Sequence, residues 1–409
     1  AEPKAFRNAR AVVADSQVVI TAFKAQRYSD AGHNVLFNEI RIYRRACPDF
    51  VFGTDYEEYF SGLDPASTEL IFQGKLESDL GSKFRFVDKT AKQGEVYAYW
   101  IASSPGEPVG PLPVKVRDAD VWWPAEKIAA RLADLKSRYP DEVAVETAGW
   151  STGRRPILGV RAGRGEKCIA LIGAVHAGES GPELIIPVLE RLLERRRDLL
   201  DKVAVVAIPS VNGDVRDRLA HGNPWYLRRN ANLVDLNRNF PADWGEVDLA
   251  YGYRTSDPDG LTYRGPFAGS EAETQAVMDF LKEHRPQAVF SFHCLAGICG
   301  ETLLASRAAA EDKEYADRCL RLAHLYWLGT GSPVPADTRV NYECSAGSLP
   351  AWCYRILGVP GFDMEAPFDR EDLDRCRTDK TDVALLDKYR EIHYRGFVRL
   401  LESLASGNL

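Results

Sequence analysis

The sequence predicts an α/β fold, a mixed and mostly parallel sheet with helices on both faces, preceded by an N-terminal all-β sandwich. Three observations carry this. Up to about Asp118, short β-branched and aromatic runs are separated by clusters of Gly, Pro, Asp and Ser. Beyond it, the runs "CIALIGAV", "VAVVAIP" and "AVFSF" are apolar throughout, as strands buried on both faces are. Segments of helical spacing stand between some of these runs. The expected division is 1–118 for the sandwich and 119–409 for the α/β domain.

In the first part the strands are Val18 to Ile20, Glu39 to Tyr43, Glu69 to Phe72, Lys83 to Val87 and Val96 to Ala102. "FRFVDK" and "VYAYWIA" alternate with a period close to two, the spacing of a strand with one buried face. The stretch from Lys83 to Asp118, with Tyr97 and Tyr99 in its F-strand-like segment, resembles the second half of a fibronectin type III domain. In the second part, "WPAEKIAARLADLKSRYP" (Trp123 to Pro140) has helical spacing and stops at a proline. Strands follow at 143–147, 157–161, 168–175, 203–209, 288–293 and 359–364. Helices are expected from Pro182 to Leu200 and from Glu271 to Glu283. "LERRRDLLDK" reads as a solvated helix end. No internal repeat or low-complexity tract is visible.

The bulk numbers bound the function. A chain of 409 residues with 45% hydrophobic and 27% charged residues buries a sizeable core. A net charge of −7 argues against nucleic acid or an anionic membrane as partner. No apolar run is long enough to span a bilayer. The chain begins at Ala1, so a leader removed upstream stays open, and a secreted or periplasmic location is favoured over a cytoplasmic one. Eight cysteines form no CxxC pair. Cys294/Cys299 and Cys344/Cys353 are close enough in sequence to bridge, and buried free thiols are an equal alternative.

The chemistry centres on "GAVHAGESGPE", Gly173 to Glu183. A buried strand ends near Val175, and Ser180 with Glu183 reads as a capping box, with Pro182 in the first helical turn. His176 and Glu179 therefore fall between the carboxyl end of a strand and the start of a helix, the edge where open α/β sheets bind ligands. Imidazole and carboxylate both suit zinc, and three protein ligands leave a position open for water. An HxxE pair arises by chance often enough to need a third ligand. His33 lies in the sandwich, His221 in a loop, and His284, His324 and His393 in helix-like segments. His293 ends the buried run "AVFSF" and is the favoured third ligand.

"STGRRPILGVRAG", "GAVHAGESGPE", "VDLNRNFP", "FSFHC" and "GFDMEAP" stand in the order seen in the M14 zinc carboxypeptidases, which the chain resembles over about residues 122–405. The resemblance implies one Zn²⁺ per chain on His176, Glu179 and His293, a ligand set of the kind known from carboxypeptidase A. It implies Glu365 as the general base of peptide hydrolysis. It implies Arg238 and Asn237 as binders of a terminal carboxylate, which a planar guanidinium suits. Asp235 would hold the His176 ring in its metal-binding tautomer. Arg228 would stabilise the oxyanion, with Arg229 as the alternative. Tyr342, in "NYECSAGS", matches the tyrosine of a mobile substrate-covering loop, with a packed loop anchor as the alternative.

Specificity cues conflict. Leu349 falls at the pocket-setting position and suggests an apolar or broad pocket. Asp363 lies two residues before Glu365, on the same face of a strand, where it would favour a cationic end residue. A structural carboxylate is the alternative reading of Asp363. Gly178 stands where pancreatic-type members carry an arginine, and Cys-Leu-Ala follows His293, so binding upstream of the cut is expected to differ.

The expected activity is therefore a zinc metallocarboxypeptidase acting on peptides with a free terminal carboxylate. A second reading keeps the chemistry and changes the substrate, to diaminopimelate-type peptidoglycan stem peptides or N-acyl amino acids. A third makes the chain a non-catalytic peptide- or glycan-binding module, which a missing ligand or a substituted Glu365 would have supported. A protein or glycan partner for the N-terminal sandwich is left open.

Overall fold

The computed structural model describes residues 6–24, 39–51, 54–75, 83–103, 107–224, 226–246, 249–250, 252–295, 302–331, 340–367, 369–378 and 380–408. His33 and Cys299 lie outside them. The chain forms two compact units, Ala1–Trp122 with Arg218–Trp225, and Trp123–Asp217 with Tyr226–Leu409.

The first unit contains β1 (Phe6–Ala14), β2 (Gln17–Lys24), β3 (Ile40–Ala46), α1 (Tyr56–Ser61), β4 (Glu69–Gly74), β5 (Lys83–Asp88), β6 (Val96–Ser103) and β7 (Val109–Lys115). The strands make two antiparallel sheets, ordered β1-β2-β5 and β4-β3-β6-β7. Val18, Ile20, Ala22 and Phe84 of one sheet share a core with Ile40, Ile42, Tyr97, Tyr99 and Ile101 of the other. This is the expected sandwich. The alternate residues of β6, Val96, Ala98 and Trp100, pack instead with Phe50 and Phe60. Strand β6 is thus covered on both faces, which is why "VYAYWIA" is apolar at nearly every position. Strands β1 and β7, both edge strands, escaped the sequence reading, while the edge strands β4 and β5 did not. Proline is tolerated there, and β7 holds two, Pro111 and Pro113. Gly222 and His221 join this unit by backbone bonds, Lys115 N–H donating to the Gly222 carbonyl and Val13 N–H to that of His221, each at 2.8 Å.

Asp88 ties the two sheets together. Its buried carboxylate accepts the Thr90 N–H (2.8 Å) and hydroxyl (2.7 Å), the Tyr99 hydroxyl (2.9 Å) and the Arg44 guanidinium (2.8 Å). Burial opposes its charge, but these donors outweigh burial and hold the carboxyl below its ordinary value.

The second unit contains α2 (Ala125–Arg138), β8 (Val143–Trp150), β9 (Pro156–Ala162), β10 (Cys168–Gly173), α3 (Gly181–Arg195), α4 (Arg197–Leu200), β11 (Ala204–Ile208), α5 (Gly213–Ala220), β12 (Leu249–Ala250), β13 (Tyr253–Arg254), α6 (Ala272–His284), β14 (Val289–Cys294), β15 (Thr302–Ser306), α7 (Lys313–Thr330), β16 (Val340–Cys344), α8 (Leu349–Trp352), β17 (Gly361–Ala366), α9 (Arg370–Arg377) and α10 (Val383–Ala405). Eight strands form one mixed sheet, β16-β15-β17-β14-β10-β11-β9-β8. The middle four, β17, β14, β10 and β11, are mutually parallel. Strands β9 and β8 continue antiparallel at one edge, and β15 reverses direction beside β17 at the other.

Alternation along the strands sorts the helices onto two faces. Cys168, Ala170, Ile172 and Val289 share a core with Val277, Phe280 and Leu281 of α6 and with Trp352 of α8. The intervening Phe290 and Phe292 stack against Phe397 of α10, and Phe290 also meets Tyr326 of α7. Helices therefore cover both faces, as expected.

Some sequence expectations need correction. The helix expected from Pro182 to Leu200 is two helices that break at Arg196. The expected tyrosine loop begins as strand β16, which pairs in parallel with β15. All seven described cysteines are buried free thiols, so Cys344 and Cys353 do not bridge.

Asp88 generates a stability prediction. A carboxyl whose folded value is depressed stabilises the fold above its unfolded value, about 3.9. That contribution is lost as pH falls through the folded value. Asp88→Ala should destabilise the sandwich by roughly 1–3 kcal/mol at neutral pH. The gap from wild type should begin to narrow below about pH 4 and shrink further as pH falls through the depressed folded value. Hydrogen exchange of β2, β5 and β6 amides in the full chain measures it, and equal protection at pH 7 would contradict it.

Candidate metal centre and active site

The site is assembled by strand register. On β14 and β17, His293 stands opposite Glu365 and Ser291 opposite Asp363. Paired residues share a face, and residues two apart on one strand do too. All four side chains therefore emerge on the α6 and α8 side. The parallel neighbour β10 ends beside them, Gly173 opposite Phe292. Ala174 (φ 46°) and Leu295 (φ 57°) then take left-handed backbone, turning the chain just before His176 and just after His293. Such conformations cost on the order of 1–3 kcal/mol at non-glycine residues and cluster at functional sites.

His176, Glu179 and His293 are buried, and one ligand atom from each lies within 4.8 Å of the others. This is the one such grouping among the described residues. His176 Nδ1 lies 2.8 Å from Glu179 Oε1, His293 Nδ1 lies 3.0 Å from Glu179 Oε2, and the two Nδ1 atoms are 3.1 Å apart. Glu179 Oε2 is buried without a hydrogen-bond partner. Two facing ring nitrogens and an orphaned carboxylate oxygen fit a cation between them, and two imidazoles with one carboxylate suit zinc.

Each imidazole is backed on its far side. His176 Nε2 lies 3.0 Å from Asp235 Oδ1, and Asp235 Oδ2 accepts Arg228 Nε at 2.8 Å. His293 Nε2 lies 3.0 Å from the Ser291 hydroxyl and 3.2 Å from Asp363 Oδ1. A hydrogen-bonded Nε2 leaves Nδ1 as the metal-facing nitrogen. Burial opposes ionisation of Glu179, but the two imidazoles outweigh it and hold its carboxyl well below the usual range. Burial likewise opposes the charge on Asp235, where Arg228 and His176 prevail, and on Asp363, where His293 and Asn237 prevail. Glu365 differs. Burial dominates there and pushes its carboxyl up to about 8, against the pull of His293 and Arg228.

Other expected site residues fall differently. Asn237 is buried with its amide engaged inside the protein, Nδ2 donating to Asp363 Oδ2 at 2.7 Å and Oδ1 accepting the Leu349 N–H at 2.9 Å. These two bonds brace Asp363 and the start of the helix at Leu349. Asp363 is correspondingly a structural carboxylate, held by Asn237 and the Cys344 thiol (3.4 Å), and its role as a free pocket charge is withdrawn. Leu349 is buried in the apolar core with α6, so it sets no apolar pocket. Arg238 keeps its place beside the centre. Its Nη1 donates to the Asn237 carbonyl at 2.7 Å, and its buried Nε has no partner. Arg229 donates to the carbonyls of Pro258, Asp259 and Gly260, a loop brace, which leaves Arg228 as the arginine of the centre. Tyr342 sits within β16. Burial pushes its hydroxyl up to about 12, with Cys319 and Asp317 of α7 adding to the effect.

Sequence reasoning misread Ser180 and Glu183 and missed Arg216 and Tyr226. Ser180 makes no capping bond with its side chain, and Glu183 is not half of a capping box. Glu183 instead accepts the Trp123 N–H at 2.7 Å and pairs with Arg216, both partners fully buried. The same guanidinium donates to the carbonyls of Ala177 (2.9 Å) and Glu179 (2.8 Å), clamping the loop that carries two ligands. Tyr226 donates its hydroxyl to Glu179 Oε1 at 2.9 Å, with its ring against Gly178. Only Gly178 signalled that something else fills this space.

The zinc carboxypeptidase family profile matches residues 128–373. Murein peptide amidase A of Escherichia coli (strain K12) is 35% identical over 130 residues, 31% of this chain and 46% of that protein. The chain thus spans about half the length of that curated relative. Bovine thrombin-activatable fibrinolysis inhibitor, solved with tick carboxypeptidase inhibitor, superposes with a TM-score of 0.57 at 19% identity, over 71% of this chain and 99% of that one. A metallo-carboxypeptidase from Burkholderia cenocepacia gives 0.51 at 14% identity, over 99% and 98%. At these identities the structures speak for the fold alone.

Breaking a buried ion pair from one side leaves an uncompensated charge. Arg216→Met should therefore cost roughly 3–5 kcal/mol. Adding Glu183→Leu should return much of that. Urea unfolding of the full chain measures both, and a single variant as stable as wild type would show that the clamp contributes nothing.

Proposed function

We propose that this chain, which belongs to the zinc carboxypeptidase family, hydrolyses an amide bond next to a free carboxylate at the end of a peptide. Zinc is the cofactor of the family, and His176, Glu179 and His293 are the residues that would hold it. The observation that carries the reading is register: Glu365 stands directly opposite ligand His293, on the same face of the sheet.

The roles follow from what each group can do. Zinc, when bound, supplies Lewis acidity to the scissile carbonyl and a water nucleophile at neutral pH. Glu365, its affinity for protons raised by burial, takes the proton of the attacking water and passes it to the leaving nitrogen. Arg238 offers its partnerless Nε edge to the terminal carboxylate. Arg228, anchored through Nε on Asp235, supplies positive charge where the carbonyl oxygen gains negative charge.

A second reading, an enzyme of cell-wall stem peptides, is favoured by a specific observation. The segment running past the Arg238 backbone carries Ser345, whose buried hydroxyl has no partner, while Leu349 turns away into the core. An unpartnered hydroxyl in that segment suits a polar end residue such as diaminopimelate better than an apolar one. The likeness to murein peptide amidase A points the same way.

A mixed panel resolved by mass spectrometry, with and without a zinc chelator, tests both readings. It would hold peptides ending in Phe, Leu, Lys, Arg and Glu, diaminopimelate stem peptides and N-acyl amino acids. Chelator-sensitive release of single C-terminal residues supports the first reading, and cleavage confined to stem peptides supports the second. Release only from N-acyl amino acids, or none from zinc-loaded protein, sinks the peptidase assignment. Glu365→Gln should lower kcat by roughly 10²–10⁴-fold with zinc content unchanged. Arg238→Lys should raise KM more than it lowers kcat, because an ammonium cannot bind a carboxylate in two-pronged fashion. A Glu365→Gln enzyme of near-normal turnover would remove Glu365 from the mechanism.

A further inference from the structure

The outward face of the β1-β2-β5 sheet carries an ordered set of cations. Pairing puts Arg7 opposite Phe23 and Phe23 opposite Lys83. One row along, it puts Arg10 opposite Thr21 and Thr21 opposite Arg85. Paired residues share a face. The intervening Ala11, Ile20, Ala22, Phe84 and Phe86 lie against the sandwich core, so both rows point away from it. A bulge between Arg7 and Arg10 keeps both on the outer face although they are three residues apart. Arg7, Arg10, Lys83 and Arg85 are exposed, with Phe23 and Thr21 half-buried between them. The acidic residue of these three strands, Asp88, lies on the inner face opposite Val18. Each row therefore reads cation, neutral, cation. The two cations of a row stand two strand spacings apart, about 10 Å. That exceeds the Debye length of about 8 Å at physiological ionic strength, so the folded sheet tolerates them. An anionic chain lying along β2 would meet all four.

We propose that this face docks an acidic polysaccharide, one that carries carboxylates along its chain. The proposal is independent of the metal centre. Charge complementarity is the first argument: three guanidiniums and an ammonium flank the middle strand, and a guanidinium binds a carboxylate in two-pronged fashion. Phe23 is the second. Its ring lies within a row, with Lys83 Nζ 5.9 Å from its centre, and offers the apolar C–H face of a sugar a surface between the charges. Thr21 adds a hydroxyl in the other row, which can bond a sugar hydroxyl. The net charge of −7 is the third. Duplex DNA, with a charge about every 1.7 Å, would be repelled by the rest of the chain over its whole length. A sugar polymer with one charge per ring is repelled less and still reaches the four cations.

The test titrates the full chain at physiological ionic strength with four probes: polygalacturonate, its methyl ester, duplex DNA and polyglutamate. Wild type should bind polygalacturonate and not the ester, which keeps the sugars and loses the charge. Arg10→Glu with Arg85→Glu should weaken that binding by roughly tenfold or more. Phe23→Ala should weaken it by about threefold, through the lost ring contact. Circular dichroism confirms that each variant is folded. If the charge reversal does not fold, Arg10→Gln with Arg85→Gln decides in its place, since it removes the charges and adds none. No binding of polygalacturonate by wild type overturns the proposal, as does equal binding by the folded double variant. Equal binding of the methyl ester removes the carboxylates from recognition and overturns it too. Tighter binding of duplex DNA or of polyglutamate overturns it in favour of a nucleic acid or an acidic protein segment.

Discussion

Four buried carboxylates, those of Glu179, Asp235, Asp363 and Glu365, crowd two imidazoles, and the rest of the site depends on compensating that charge. Removing ions from water is costly unless each finds a partner. Asp235 finds Arg228 and His176, and Asp363 finds His293, Asn237 and the Cys344 thiol. Glu179 lies between both imidazoles, and a divalent cation there would offset much of the remaining charge. Glu365 is the exception. The pull of His293 and Arg228 does not overcome burial, which raises its carboxyl above the ordinary range.

Holding such charges in place demands a rigid frame, and the sheet supplies half of it. Parallel pairing of β14 with β17 fixes His293, Ser291, Asp363 and Glu365 in one array. The other half is the loop after β10, which has no ladder to hold it. There the buried Arg216–Glu183 pair performs the task, its guanidinium bound to two loop carbonyls. A buried ion pair is weak evidence of stability by itself. Its value here is geometric, because it fixes where the backbone of Ala177 and Glu179 can lie.

The same packing bears on specificity. Residues that look like pocket determinants by position, Asn237, Leu349 and Asp363, are engaged in the frame itself.

The sequence by itself determined the layers and pointed to the candidate site residues. Continuous apolar runs marked β10, β11 and β14, period-two alternation marked β5 and β6, and ordered motifs pointed to His176, Glu179, His293 and Glu365. Such signals are local, because burial and periodicity act within a few residues. Strand β7 left a weak trace because it carries Pro111 and Pro113, which an edge strand tolerates. Only the tertiary structure decided what the polar residues do. Glu183 reads locally as half of a capping box, yet its carboxylate meets Arg216, 33 residues on, and Asn237 reaches Asp363 across 126 residues. A carboxylate's role depends on which donor the folded chain brings within about 3 Å of it. That distance is set by packing across the whole unit, which no short stretch of sequence contains.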